Sequence, residues 1–456
     1  MTSRDPYSLD PALIQEAPPG LIERLRQMGP GLVLTASIVG SGELIATTRL
    51  GAEAGFVALW IILLSCVVKV ALQLQFGRHA IATGETALAA FNRLPGPRCR
   101  GVHWTIWFWL LVQPVKILQV GGIVGGVGII LWMVVPAVSV AAWCWAAAAG
   151  AALLVSLERY RLIERTSIVL VGTFTVATLA SVFALAWTDY AITGSALKAG
   201  LTFDMPIGGL LVVYGAFGLT GVGGDEIMQY TYWLIEKGYA AKTGRGTADD
   251  PQWRRRAQQW IGVMYLDALL SMVVYTVVTA AFFLLGAAVL HARGDVPQGY
   301  RVVEVLGTMY TESLGPWAWW LFLGGSFVAL FSTLFSALAA WTRTFADAAG
   351  HFHLIDFADS RSRRQAIVAL AWFFPLAWTT VFLCFRDPSW MVLVGGVGTA
   401  AILVVVIIAA IHSRYRRTPP ELCPGLAFDA ALWTSIVAIS LFLAYGAWLA
   451  IRQSML

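Results

Sequence analysis

Charge is what this sequence has least of. Of its 456 residues, 12% are Asp, Glu, Lys or Arg and 58% are hydrophobic, with a mean hydropathy of +0.72. Soluble domains carry about 25% charged residues, so a chain of soluble domains is excluded. Cysteine is also sparse: Cys66, Cys99, Cys144, Cys384 and Cys423 lie far apart without a CxxC, which excludes a disulfide frame and a zinc ribbon. The six histidines form no HExxH, and no P-loop occurs, so neither metalloprotease chemistry nor ATP-driven pumping is encoded. No nucleophile–base constellation suggests an enzyme, and no fingerprint calls for a cofactor. The net charge of +5 is spread over loops rather than gathered in a patch, which argues against a nucleic-acid partner. Residues 1–28 are polar and lack the apolar core of a signal peptide, so no cleavable leader is expected.

Long apolar runs are what the chain has instead. They fall near 29–51, 53–76, 104–133, 137–156, 164–187, 206–234, 259–290, 314–347, 366–384, 390–412 and 428–451. Each approaches the roughly 20 residues that cross a bilayer as a helix, so the expected fold is an all-α integral membrane protein of about 11 transmembrane helices. With the N-terminus placed inside, 23 Lys and Arg fall on inner segments and six on outer ones, and only Lys69 and Lys116 lie within spans. That bias predicts a multi-pass protein of the inner or plasma membrane, N-terminus cytoplasmic and C-terminus outside. Lys69 reads as snorkelling from the end of span two. Tryptophans at span ends, including Trp104 to Trp109, read as an interfacial belt. Gly121, Gly122, Gly125, Gly126 and Gly128 suit close packing of span three, and the polar stretch from Lys237 to Gln259 reads as a loop.

Two similar stretches, 183 residues apart, interrupt spans one and six: Val39-Gly40-Ser41-Gly42-Glu43 and Val222-Gly223-Gly224-Asp225-Glu226. Glycines there free the backbone from helical geometry, which bilayer depth tolerates only where protein or a cavity surrounds it. Paired breaks in corresponding spans predict a five-plus-five inverted repeat with a solute site between the broken helices. Residues 1–28 form a cytoplasmic segment and 29–456 one transmembrane domain. Its repeats run over about 29–187 and 206–412, with an extra helix at 428–451.

The chain resembles the Nramp family of proton-coupled divalent-metal transporters. The likeness rests on Gly29-Pro30-Gly31, Leu72-Gln73-Leu74-Gln75-Phe76-Gly77-Arg78 with Ala82-Thr83-Gly84, and Arg161-Leu162-Ile163-Glu164. The resemblance implies a leucine-transporter-like fold, but the chain departs from the family's functional signature. The family's Asp-Pro-Gly-Asn falls on Gly40-Ser41-Gly42-Glu43, its Met-Pro-His on Val222-Gly223-Gly224, and its helix-three acidic pair on Lys116 and Gln119. One ligand is thereby lost, another becomes Glu43, and the thioether that favours soft metals is gone.

The expected substrate-binding residues are Gly40, Ser41, Gly42, Glu43, Gly221, Gly223, Gly224, Asp225 and Glu226, with Glu43 and Glu226 as metal ligands. Carboxylates inside a membrane are costly and usually functional, although Glu43, Asp225 and Glu226 also suit the capping of new half-helices. Lys116 either pairs with one of these carboxylates or binds an anion; together with Gln119, Ser332 and Thr333 it forms the candidate coupling and charge-balance set. Ser332, Thr333 and Ser336 equally suit hydrogen bonding between helices. Asp267 and the His351–His353 stretch carry little functional weight. The resulting expectation is a secondary transporter in a lipid bilayer, moving a divalent cation of the harder kind such as Mg²⁺ or Mn²⁺, with ion coupling. A small anion or carboxylate on the same fold is the alternative. Coupling ion, direction and oligomeric state are not encoded legibly.

Overall fold

The computed structural model describes residues 5–454 except 39, 41, 158, 159, 207, 208, 247 and 248, and the side chains at 32, 36, 37, 160–170, 453 and 454 lie outside the description. Among the described residues, eight helical stretches are long and apolar enough to cross a membrane, and Val140–Ser156 and Val171–Trp187 are shorter apolar helices. Spans one and six each consist of two pieces. Span one is Pro30–Ile38 followed by the π-wound Gly42–Thr47 and Thr48–Ala54; span six is Leu210–Leu219 and Gly224–Glu236. The remaining spans are Leu59–Val68 with Val70–Thr83, Trp104–Val134, Val140–Ser156, Tyr160–Ala184, Pro251–Leu285, Ala318–His351, Ser360–Phe385, Pro388–His412 and Leu426–Ser454. Among the described residues the only sheet is an antiparallel pair of two-residue strands, Arg98 opposite His103 and Cys99 opposite Val102, ahead of span three.

Span three lies on spans nine and ten through its glycines. A β-carbon at Gly121 would come within 2.9 Å of Trp378 O, and one at Gly122 within 2.7 Å of Pro388 O. The first half of span six approaches span ten as closely: a β-carbon at Gly215 would stand 2.6 Å from Leu393 O, and one at Gly218 would overlap Gly396 O. Small residues are what allow helix backbones to touch in a bilayer, where van der Waals packing replaces the hydrophobic drive.

Two expectations need correction. The stretch 237–259 is not a loop: Tyr239–Thr243 is helical, and span seven starts at Pro251 with the Asp250 carboxylate accepting from Gln252 N at 2.9 Å. Asp-Pro is a helix start, and polarity in the first turns hid it. Lys69 does not snorkel; it is fully buried, because span two continues to Thr83 and carries Gln73, Gln75, Arg78 and His79 into the protein interior. An amphipathic helix, Val302–Leu314, precedes span eight and buries Val302, Val305, Leu306 and Met309, a pattern too short and polar to register as an apolar run. Asp267, given little weight, organises the entry to span one: it accepts from Gly29 N at 3.3 Å and Gly31 N at 2.6 Å. His351 closes span eight, half-buried and 3.5 Å from Asp347.

Candidate substrate site at the two helix breaks

Span six leaves helical geometry after Leu219. Thr220 is extended at ψ 137°, and Gly221 takes φ +64°. That left-handed conformation suits glycine, and a β-carbon there would also stand 2.9 Å from Cys66 Cα. The helix restarts at Gly224 with Asp225 and Glu226 in its first turn. Free N–H groups and the positive end of the helix dipole favour carboxylates at that place. In span one, Gly40 lies against span eight so tightly that a β-carbon would overlap the Thr333 hydroxyl, and a β-carbon at Gly42 would be 3.3 Å from Leu219 O. The two breaks are therefore in contact.

Beside them is a small cavity, with about 30 Å³ of room for the centres of water-sized spheres and partly open to solvent. Its polar wall is Lys116, Gln119, Asp225, Glu226, Gln229 and Thr333, and its apolar wall includes Ile38, Leu219 and Trp341. The Lys116 ammonium is 3.1 Å from Asp225 Oδ2, donates to Gln119 Oε1 at 2.5 Å, and donates to the Thr399 hydroxyl. The Asp225 contact is ionic rather than a well-aligned hydrogen bond, since Oδ2 has no hydrogen-bond partner. These three neighbours match the three N–H groups of an ammonium. Asp225 Oδ1 accepts in addition from Trp109 Nε1 at 3.1 Å. Glu226 is different: its Oε2 is buried and has no partner among the described residues. With Lys116 and Asp225 paired, Glu226 adds one negative charge to this wall when it is ionised.

The expected site residues thus divide. Gly42, Asp225, Glu226, Lys116, Gln119 and Thr333 line the cavity. Gly40, Gly221, Gly223 and Gly224 shape the breaks: a β-carbon at Gly224 would be 3.0 Å from Thr399 O, and Gly223 lies against Glu226. Ser332 donates to Ala329 O at 3.0 Å on its own helix and is not in the lining. Ser41 lies outside the described residues, as do the side chains of Arg161 to Glu164. Glu43 is not in the cavity wall; it is fully buried on the far side of its helix, where Oε1 accepts from Thr279 Oγ1 at 3.0 Å. Glu43 and Glu226 therefore do not converge on one point in this conformation. Trp109, Thr399, Gln229 and Trp341 were not anticipated. Trp109, Gln113, Lys116 and Ile123 recur at helical spacing on one buried side of span three, a polar stripe that singles Trp109 out from its neighbours in the Trp run.

Paired discontinuous helices around a charged cavity in a polytopic bundle define a membrane transporter of the leucine-transporter-like class. The sequence profile of the natural resistance-associated macrophage protein-like family, Nramp, matches residues 31–448, and the chain belongs to that family. An uncharacterized protein of Pasteurella multocida is 24% identical over 331 residues, covering 70% of this chain and 69% of its own length. Among solved structures, a mutant of the Eremococcus coleocola manganese transporter aligns with a TM-score of 0.56 at 15% identity, covering 96% of this chain and 97% of that one. MhsT in complex with L-phenylalanine aligns at 0.57 and 14%, covering 91% and 98%. MHP1, a nucleobase-cation-symport-1 family transporter with bromovinylhydantoin bound, aligns at 0.56 and 14%, covering 98% and 97%. At these identities the structural likeness bears on the fold alone.

Proposed function

We propose that this protein is a secondary active transporter that moves a divalent metal cation of the harder kind, by alternating access about the two helix breaks. The observation that carries the reading is Glu226, a carboxylate on the cavity wall with a buried oxygen left unpartnered beside a compensated Lys116–Asp225 pair. When ionised, Glu226 gives the cavity a negative charge beyond the Lys116–Asp225 pair, which favours a cation there. No group of three or more His, Cys, Asp or Glu is poised for a metal among the described residues, so ligation would draw on Glu226 with amide and hydroxyl oxygens such as those of Gln229 and Thr333. An all-oxygen set favours Mg²⁺ or Mn²⁺ over Cd²⁺. Membership of the Nramp family supports the same cargo class. The loop charges support a cytoplasmic N-terminus.

The small-anion reading is weaker for a specific reason. Lys116 already has three oxygen partners, so an anion would have to displace them and would meet Glu226 beside it. Uptake into proteoliposomes of Mn²⁺, Mg²⁺ and Cd²⁺ decides the matter. Expected is saturable Mn²⁺ or Mg²⁺ uptake that exceeds Cd²⁺ uptake and falls at least about tenfold in Glu226→Gln, whose melting point stays near the parent's. Preferred Cd²⁺ uptake, or undiminished uptake in Glu226→Gln, would overturn the assignment.

A further inference from the structure

Behind the cavity, on the side of span six that faces span two, lies a second buried charged cluster. Lys69 is fully buried, and its Nζ donates to Phe217 O at 2.5 Å and Thr220 O at 2.7 Å. Both carbonyls belong to the end of the half-helix Leu210–Leu219, where helix termination removes their normal donors. Ser65, one turn before Lys69, donates to the same two oxygens at 2.9 and 3.1 Å, and the Thr220 hydroxyl donates to Ser65 Oγ at 2.6 Å. The ammonium also lies 4.8 Å from the centroid of the Phe217 ring. Glu226 and Glu43 both lie within electrostatic reach of this ammonium; Glu43 is fully buried, with Oε2 lacking any hydrogen-bond partner among the described residues.

Two main-chain oxygens, two hydroxyls, an aromatic face and a nearby carboxylate are the surroundings that hold a small monovalent cation. The dipole of the half-helix adds to them, because its negative end points at Nζ. We propose that Phe217 O, Thr220 O, Ser65 and Glu43 form a monovalent-cation site that this chain fills with its own Lys69 ammonium. The tethered charge holds the first half of span six against span two and leaves the protein independent of free Na⁺ or K⁺. Leu219, between the two carbonyl donors, lines the substrate cavity, so the tether steadies one of its walls from behind. The proposed cation site uses different ligand atoms from the metal assignment, while the Lys69 charge also reaches Glu226 on the cavity wall.

The test is thermal unfolding of the purified full-length chain in N-methylglucamine, sodium, potassium or ammonium chloride at equal ionic strength. The parent is expected to melt at the same temperature in all four. Lys69→Ala is expected to melt several degrees lower in N-methylglucamine and to recover, with saturation, in at least one of the small cations. Adding Glu43→Gln to Lys69→Ala should abolish that recovery by removing the anion of the site. A Lys69→Ala protein that melts identically in every salt, or that yields no folded protein in any of them, overturns the proposal. A recovery that survives Glu43→Gln overturns the part assigned to Glu43.

Discussion

Replacing Lys116 by Met is the sharpest perturbation of the cavity, because it keeps the length of the side chain and deletes the charge. The parent ammonium is 3% exposed at the side chain and offsets Asp225, itself 5% exposed, at 3.1 Å. Without it Asp225 keeps one donor, Trp109, and stands next to Glu226 in the same helical turn. Removing one partner of a buried ion pair costs about 3–5 kcal/mol, since the survivor is left charged and unpaired. Against a typical total of about 5–15 kcal/mol, a loss of that size is plain in a melting curve. Twenty tryptophans give the chain a strong intrinsic fluorescence signal for following it. Lys116→Met should therefore melt well below the parent, and Lys116→Met with Asp225→Asn should regain more than half of the loss. Mn²⁺ should raise the melting point of Lys116→Met more than that of the parent, because two carboxylates would then face the cavity without a resident cation. A single variant within about 1 kcal/mol of the parent would refute the reasoning, and so would strict additivity in the double variant.

Two further outcomes test the packing and the charged rim. Gly218→Ala places a methyl group onto the Gly396 carbonyl and should cost about 3 kcal/mol or more, read as lost folded yield, whereas Gly262→Ala, which has open space, should melt at or above the parent. Glu85 lies just past span two, with His79 Nε2 and Arg93 each at 3.0 Å and Arg417 at 2.9 Å. Burial pushes its carboxyl up, but the His79 hydrogen bond and the charges of His79, Arg417 and Arg93 outweigh that and hold it below its ordinary value. A depressed folded pKa means the stabilisation is fully present above the unfolded value of about 4.3 and is lost as pH falls through the folded value. Glu85→Gln should thus cost about 1–3 kcal/mol at pH 7, with melting curves of parent and variant converging below about pH 4; a constant gap across pH would contradict the assignment.

The parts of this protein legible from sequence are those written in local pattern. Apolar runs mark the spans, and two glycine-rich interruptions mark the broken helices, because both signals lie within a few consecutive residues. Lys69 was misplaced by a boundary: the apolar run of span two ends near residue 76, which put Lys69 close enough to the membrane surface to snorkel. Instead Gln75 donates to Ser413 at 2.9 Å, and Arg78 donates to Leu422 O and the Tyr265 hydroxyl, so polarity here reflects burial in protein rather than exit into water. Partners 148 and 151 residues away along the chain then decide what Lys69 does. Thr399 meets Lys116 across 283 residues, a juxtaposition that no spacing rule within span three or span ten foretells.

The two lysines, read together, bear on how this chain differs from its family pattern. Lys69 lies on span two, packed beside span six, and Lys116 reaches span six from span three; each addresses one side of the same break: Lys69 takes the carbonyl end of the first half, and Lys116 takes the first-turn carboxylate of the second. A cation entering the cavity therefore meets a break whose charges are largely matched by fixed ammonium groups, with Glu226 as the remaining unmatched carboxylate of the cavity wall. To gain Asp225 as a second ligand it must draw that carboxylate away from Lys116, at a cost of the order worked out above for breaking the pair. If the cavity takes a divalent cation as proposed, binding should be strongest for a small, strongly charged ion, because only a high charge density repays the separation. On that proposal Lys116 would set a threshold against weakly charged cations, from its position on the cavity wall.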